Sequence, residues 1–272
     1  MKTAISIKGL AVALAVLTTQ LGTAMAEGQG KLIQQIKERG KVIVGMASFV
    51  PWAMRDKEGN WIGFEIDVAN KLATDLGVQL ELAPTAWDGI IPALNAGKLD
   101  VIVGGLSITP ERQQSVDFTE PYSHSGVGVA ANKELNVGRE WPEGYNSADV
   151  TFTCKRGIMA CQEIQKRFPK ATLRQFDDTA TAFQEVINGS AHASVSSEPA
   201  PTFYTLRNSE RLFQPTKEYL LSGSEGMALR KGDPETIATL DAWIAKENAG
   251  GWLKERHDYW FRTRDWADKV SE

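Results

Sequence analysis

KVIVGMASFVPWAMRDKEGNWIGFEIDVANKLATDLGVQLELAPTAWDGIIPALNAGKLDVIV, residues 41–103, decides the fold. Residues 41–45 are a short, mostly apolar run closed by Gly45, which reads as a buried strand. A loop with Phe49, Pro51 and Trp52 follows, then a turn signal at Lys57-Glu58-Gly59. Ile66, Ala69, Leu72, Ala73 and Leu76 recur at helical spacing, and Gly77 stands where a helix ends. Residues 78–83 alternate apolar and polar like a strand. Residues 87–97 read as a second helix, with Gly97 past its end, and 101–103 as a wholly apolar strand. Strand–helix–strand–helix–strand implies a parallel α/β sheet. Ligands of such sheets lie at the carboxyl ends of the strands, so the loops after Val44 and Val103 are expected to carry function.

Upstream, Leu32, Ile33 and Ile36 give the segment from Lys31 to Arg39 a helical face, and Gly40 ends it. Residues 1–26 read as a secretory signal. Lys2 and Lys8 precede or flank an unbroken apolar run, 10–17, and Ala24-Met25-Ala26 fits the small-x-small cleavage pattern. As a helix that run spans roughly 12 Å, well short of the ~30 Å core of a bilayer. Downstream, residues 132–146 are polar and turn-rich, like a lobe boundary. A second α/β run follows, with strands expected at 150–153, 171–175 and 193–195 and helices at 162–168 and 179–188. Residues 227–229 read as a strand returning to the first lobe. The end is helical: Ile237, Leu240, Trp243 and Ile244 share a face, and a helix at 252–261 leaves Trp260 and Trp266 to cover core surface.

Without the signal, 28 basic residues face 34 acidic ones, a net charge of −6 that argues against a general nucleic-acid or anionic-membrane binder. An apolar content of 42% excludes wholesale disorder. The two cysteines, Cys154 and Cys161, are too few for a disulfide scaffold, and His124, His192 and His257 show no metal-ligand spacing with them. Export favours a disulfide between the two, provided that 155–160 double back as a turn, which Gly157 permits; two buried thiols are the alternative. No cofactor is implied.

Arg112 carries the sharpest local argument. Gly104-Gly105-Leu106-Ser107 follows a buried strand, Thr109 suits a helix N-cap, and Pro110 suits the first helical position. Arginine in the first turn opposes the helix dipole. Either a nearby anion explains it, held bidentately by the guanidinium, or Arg112 is a surface residue paired with Glu111.

Three segments, 40–78, 87–122 (WDGIIPALNAGKLDVIVGGLSITPERQQSVDFTEPY) and 168–195, resemble the bacterial extracellular solute-binding proteins of family 3, the polar amino-acid-binding type. The Ser-Ile-Thr-Pro-Glu-Arg and Gly-Phe-x-x-Asp blocks carry the likeness, which runs through nearly the whole chain after the signal. The resemblance implies a type II periplasmic-binding-protein fold: two parallel-sheet α/β lobes joined by two crossing strands, with a ligand cleft between them. It places the first lobe at 27–130, the second at 131–224 and the return to the first at 225–272. It implies a monomer in the periplasm that captures a small carboxylate-bearing ligand by cleft closure and docks on the permease subunits of an ABC importer. In such proteins the counterpart of Arg112 holds the ligand carboxylate, with Ser107 and the backbone of Gly105 beside it, and Phe49, Trp52 and Trp87 are the aromatic candidates.

Two positions depart from the family pattern. Relatives carry hydroxyl residues in the second-lobe loop where this chain has Gly157-Ile158-Met159. They place an aspartate for the ligand's α-ammonium where this chain has Ser197, followed by Glu198. Either Glu198 substitutes, or the ligand's amine is absent or alkylated, in which case an aromatic box of Phe49, Trp52 and Trp87 would suit it. The alternative from another class is an enzyme like cyclohexadienyl dehydratase on the same fold, which needs a carboxylic acid in the cleft; Glu198 and Glu163 are its candidates.

Overall fold

The computed structural model describes residues 30–270. The secretory-signal reading at 1–26 therefore lies outside the described residues. Gly40 and Gly77, each with φ of 72°, end the helices Lys31–Arg39 and Phe64–Leu76 in the left-handed conformation that glycine adopts without penalty. Each helix then feeds a strand: Lys41–Met46 and Gln79–Pro84 pair in parallel, and Val101–Ile102 pairs in parallel on the other side of the first. Ala228–Leu229 and Asp117–Phe118 extend this sheet in the antiparallel sense. The expected return strand is thus part of the first sheet.

The second sheet repeats the plan. Thr172–Phe176, Thr151–Lys155 and Ala193–Ser197 are parallel, and Ser123–Asn132 lies antiparallel beside the last of them. Both sheets are therefore mixed, with a parallel core of three strands each, rather than parallel throughout. Two strands run between the sheets: Ser123–Asn132 going out and Ser222–Glu225 coming back, paired antiparallel from Ser222 opposite Gly126 to Glu225 opposite Ser123. Glycines 126 and 128 let other groups approach this long strand: a Cβ at Gly126 would meet the Tyr219 ring and one at Gly128 the Glu198 carboxylate.

Each sheet has its own core. Around the first, Trp52, Phe64, Leu72, Leu240, Trp260 and Trp266 pack together, so the terminal helices Pro234–Ala249 and Trp252–Arg262 close the lobe that the chain began. Trp260 donates to Asp67 and Trp266 to the carbonyl of Trp260, which satisfies both indoles where they are buried. Around the second, Tyr145, Phe152, Phe168 and Val195 form the centre. No helix among the described residues is long and apolar enough to cross a membrane. Residues 87–97 are not one helix: a 3-10 turn at Trp87–Gly89 precedes a short helix, Ile90–Asn95. An unforeseen helix, Ala200–Arg207, follows Pro199, with Pro201 in its first turn where the missing N–H costs nothing.

Cys154 and Cys161 are joined, with Cα atoms 5.8 Å apart. The loop between them doubles back through Gly157, at φ of 78°. Closing a loop of this length removes about 2.5 kcal/mol of freedom from the unfolded chain. Replacing both cysteines by serine should lower the free energy of unfolding by roughly 2 to 3 kcal/mol, read by urea denaturation of oxidised wild-type and variant protein.

Candidate functional site

Four strand ends converge between the sheets, as the topology of parallel sheets requires. From the first sheet, the loop after Lys41–Met46 brings Phe49, and the loop after Val101–Ile102 brings Gly105, Ser107 and Arg112, with Trp87 beside them. From the second, the end of Thr151–Lys155 and the loop beyond it bring Lys155, Ile158 and Met159, and the end of Ala193–Ser197 brings Ser197. Together they enclose about 20 Å³, the room of roughly one water. The space is small because the loops touch. Lys155 donates to the carbonyl of Ser48 at 3.0 Å, Arg112 to the carbonyl of Gly157 at 3.2 Å, and Gln162 to Glu111 at 3.2 Å. Entry of any larger molecule requires the lobes to part about their connecting strands.

Arg112 is positioned from its own loop. Thr109 caps the short helix Pro110–Gln113 by accepting from the Arg112 backbone N–H, and the guanidinium donates to the carbonyl of Ser107 at 2.8 Å. Its partners are carbonyls, and no ion pair satisfies it among the described residues. Burial lowers its pKa, with Glu111 pulling weakly the other way.

Lys155 is the residue the sequence reading missed. It is buried, and its ammonium lies 5.9 Å from the Phe49 ring centroid and 5.5 Å from that of Trp87, within cation–π range of both. Burial pushes its pKa down to about 8, opposed by the charge of Asp178. That aspartate is itself engaged, capping the helix Thr179–Ile187 through the N–H of Thr181 at 2.7 Å. A lysine at the carboxyl end of a predicted strand was the available signal.

Two expected site residues lie elsewhere. Trp52 does not line the space. It is 1% exposed, stacked behind Phe49 at 6.0 Å and wedged against Phe64 and Phe261 in the first core. Its ring underlies Gly105, where a Cβ would come within 2.8 Å of it, and Gly105 also has φ of 70°; both demand glycine. The aromatic box is thus reduced to Phe49 and Trp87, and Lys155 is the cation facing them. Glu198 turns the other way, accepting from the Thr202 N–H and from Gln214, and lines a separate groove along the crossing strands. Burial raises its pKa.

Beneath the cleft lies an acidic cluster that the sequence reading did not single out. Tyr122 donates to Glu65 at 2.7 Å and accepts from the Gly105 N–H at 3.4 Å. Ser125 donates to Glu225 at 2.6 Å, and Glu225 makes a backbone bridge to Ser107. Burial, reinforced by the charge of Glu225, pushes Glu65 up to about 8 despite the Tyr122 hydrogen bond; burial pushes Glu225 up to about 7. Glu65 falls on the helix face of Val68, Ala69 and Leu72, an apolar face on which an acid is conspicuous.

A family model for the bacterial extracellular solute-binding proteins, family 3, matches residues 42–263. The L-cystine-binding protein of Escherichia coli K12 is 28% identical over 85% of this chain and 86% of its own. Among solved structures, an ancestral amino acid-binding protein described as a precursor of cyclohexadienyl dehydratase is 36% identical, with a TM-score of 0.77, over 84% of this chain and 98% of its own. A protein of Wolinella succinogenes described as a binding component of an ABC transporter, complexed with lysine, is 33% identical, with a TM-score of 0.80, over 85% of this chain and 100% of its own.

Glu65 and Glu225 make stability pH-dependent in a defined sense. Both folded-state pKa values are raised, so their neutral forms belong to the folded state. The contribution is complete below the ordinary glutamate range and is lost as pH rises through about 7 and then about 8. The melting temperature should therefore fall between pH 5 and pH 9, and Glu65→Gln, which keeps an acceptor for Tyr122, should flatten that fall; calorimetric scans across the range check both.

Proposed function

The chain belongs to the bacterial extracellular solute-binding proteins, family 3, and from that premise we propose that it captures a small carboxylate-bearing ligand, an amino acid or a close analogue, between its lobes. It then delivers that ligand, as a periplasmic monomer, to the permease subunits of an ABC importer. One observation carries the ligand class. Arg112 holds a half-buried guanidinium at the meeting of four strand ends, oriented by Ser107 and Thr109 and paired with no acid among the described residues. A planar fork of donors in a low-dielectric space matches a carboxylate bidentately. Phe49 and Trp87 supply the apolar walls, Ser107 a hydroxyl and Gly105 an unobstructed backbone.

Closure follows from the same contacts. The lobes meet through Lys155, Arg112 and Gln162, each bonding a group of the opposite lobe, and two paired strands connect them.

A dehydratase on this fold would need a carboxylic acid facing the substrate. Glu65, Glu198 and Glu225 all lie outside the enclosed space, and Glu163 pairs with Arg167 on a helix surface. This placement favours binding over catalysis. Protein stripped of ligand by unfolding and refolding is expected to show a thermal shift with a member of a panel of amino acids, dicarboxylates and betaines, and no turnover of prephenate or arogenate. Arg112→Lys, which keeps the charge and loses the fork, should weaken the responding ligand roughly 30-fold or more in calorimetry. An unchanged affinity would remove Arg112, and with it the carboxylate, from the reading.

A further inference from the structure

The enclosed space contains two cations and no anion. Arg112 enters from the first lobe and Lys155 from the second, and neither forms an ion pair among the described residues. The remaining walls are apolar or hydroxylic: Phe49, Trp87, Ile158, Met159, Ser107 and Ser197. No acid among the described residues lines the space, and Glu65 and Glu225 lie outside it. Glu198 is bonded to Thr202 and Gln214, Asp178 caps a helix, and Asp88 and Glu111 are exposed.

An α-amino acid bound here would satisfy Arg112 with its carboxylate but would bring in a third cation. Its ammonium would meet the hydroxyls of Ser107 and Ser197 and neutral backbone carbonyls but no acid, and the faces of Phe49 and Trp87 already look onto the Lys155 ammonium. Like charges sharing a desolvated space repel strongly, and a neutral hydroxyl does not offset a buried ammonium. A ligand with two acidic groups reverses each of these costs. One carboxylate replaces the carbonyls now bonded to Arg112, the other replaces the Ser48 carbonyl now bonded to Lys155, and both exchanges turn a charge–dipole bond into a charge–charge bond.

Resting on the reading of this cleft as a carboxylate site, we propose that its ligand is a small dicarboxylate without a free ammonium group, held by Arg112 at one end and by Lys155 at the other. Lys155 is then the specificity-determining residue, and Ser197 is neutral because the ligand brings nothing positive for it to meet. Lys155 also couples binding to closure: Arg112 belongs to the first lobe and Lys155 to the second, so one ligand held by both draws the lobes together as it is bound.

Calorimetry on the refolded, ligand-free protein tests this with malonate, succinate, glutarate and adipate against glutamate, glutamine and lysine. One dicarboxylate is expected to bind, and glutarate is expected to bind about tenfold or more tighter than glutamate, which differs from it by the amine alone. Lys155→Met should weaken the responding dicarboxylate about 30-fold or more. Ser197→Asp, which restores an acid to the cleft, should shift the preference towards glutamate. Circular dichroism and melting temperature establish that each variant folds. The proposal is overturned if no dicarboxylate binds, if glutamate binds more tightly than glutarate, or if folded Lys155→Met and Lys155→Gln both retain wild-type affinity. Ligands that depend on Arg112 but not on Lys155 would sink this proposal and leave the carboxylate reading standing. Ligands indifferent to Arg112→Lys would sink the carboxylate reading itself.

Discussion

Taking a charge out of water costs several kcal/mol unless an opposite charge meets it, and two like charges in one desolvated space cost more than either alone. Arg112 and Lys155 stand in that position, facing each other's lobe with backbone carbonyls and, for Lys155, two ring faces as partners. A fold keeps such an arrangement when the surrounding structure holds it in place. Here Thr109 and Ser107 hold Arg112, and the strand Thr151–Lys155, central enough to pair on both sides, holds Lys155. The two cations belong to different lobes, so their electrostatic discomfort is greatest when the lobes are together. An anion between them would convert that repulsion into attraction, which would make the relative position of the lobes responsive to what lies in the cleft.

Two buried acids sit one layer below. Glu65 and Glu225, whose pKa values burial raises, lie where the Gly105 loop and the crossing strands meet, joined through Tyr122, Ser125 and the bridge from Glu225 to Ser107. The loop that carries Gly105 and Ser107 is therefore tied by hydrogen bonds to the strands about which the lobes move. This gives the connection between cleft and hinge a concrete route through named groups.

Much of this was legible before any coordinates. Periodicity alone located the helices Lys31–Arg39 and Phe64–Leu76, and the alternation of short apolar runs with helices placed the parallel cores. The glycine stops at 40 and 77 marked boundaries because only a left-handed residue ends a helix cheaply. Ser123–Asn132 escaped notice because its glycines at 126 and 128 weaken a strand pattern, and their reason is tertiary: Tyr219 and Glu198 fill the room they leave. In the site, Arg112 announced itself by sitting against the helix dipole. Trp52 and Glu198 were misplaced because sequence adjacency does not say which side of a loop or strand end a side chain takes. Lys155 was passed over because a lone lysine beside a cysteine looks like a surface residue until its burial is known.

The covalent bond between Cys154 and Cys161 brackets Lys155, Ile158 and Met159, the whole second-lobe contribution to the enclosed space apart from Ser197. The shape of the binding surface is thereby linked to the redox state of the compartment in which the chain matures. A chain produced under reducing conditions would keep Lys155 on its strand but carry Gly157, Ile158 and Met159 on a loop without that tether. Recombinant protein made in a reducing cytoplasm and in an oxidising compartment would then share one sequence and differ in the freedom of this loop.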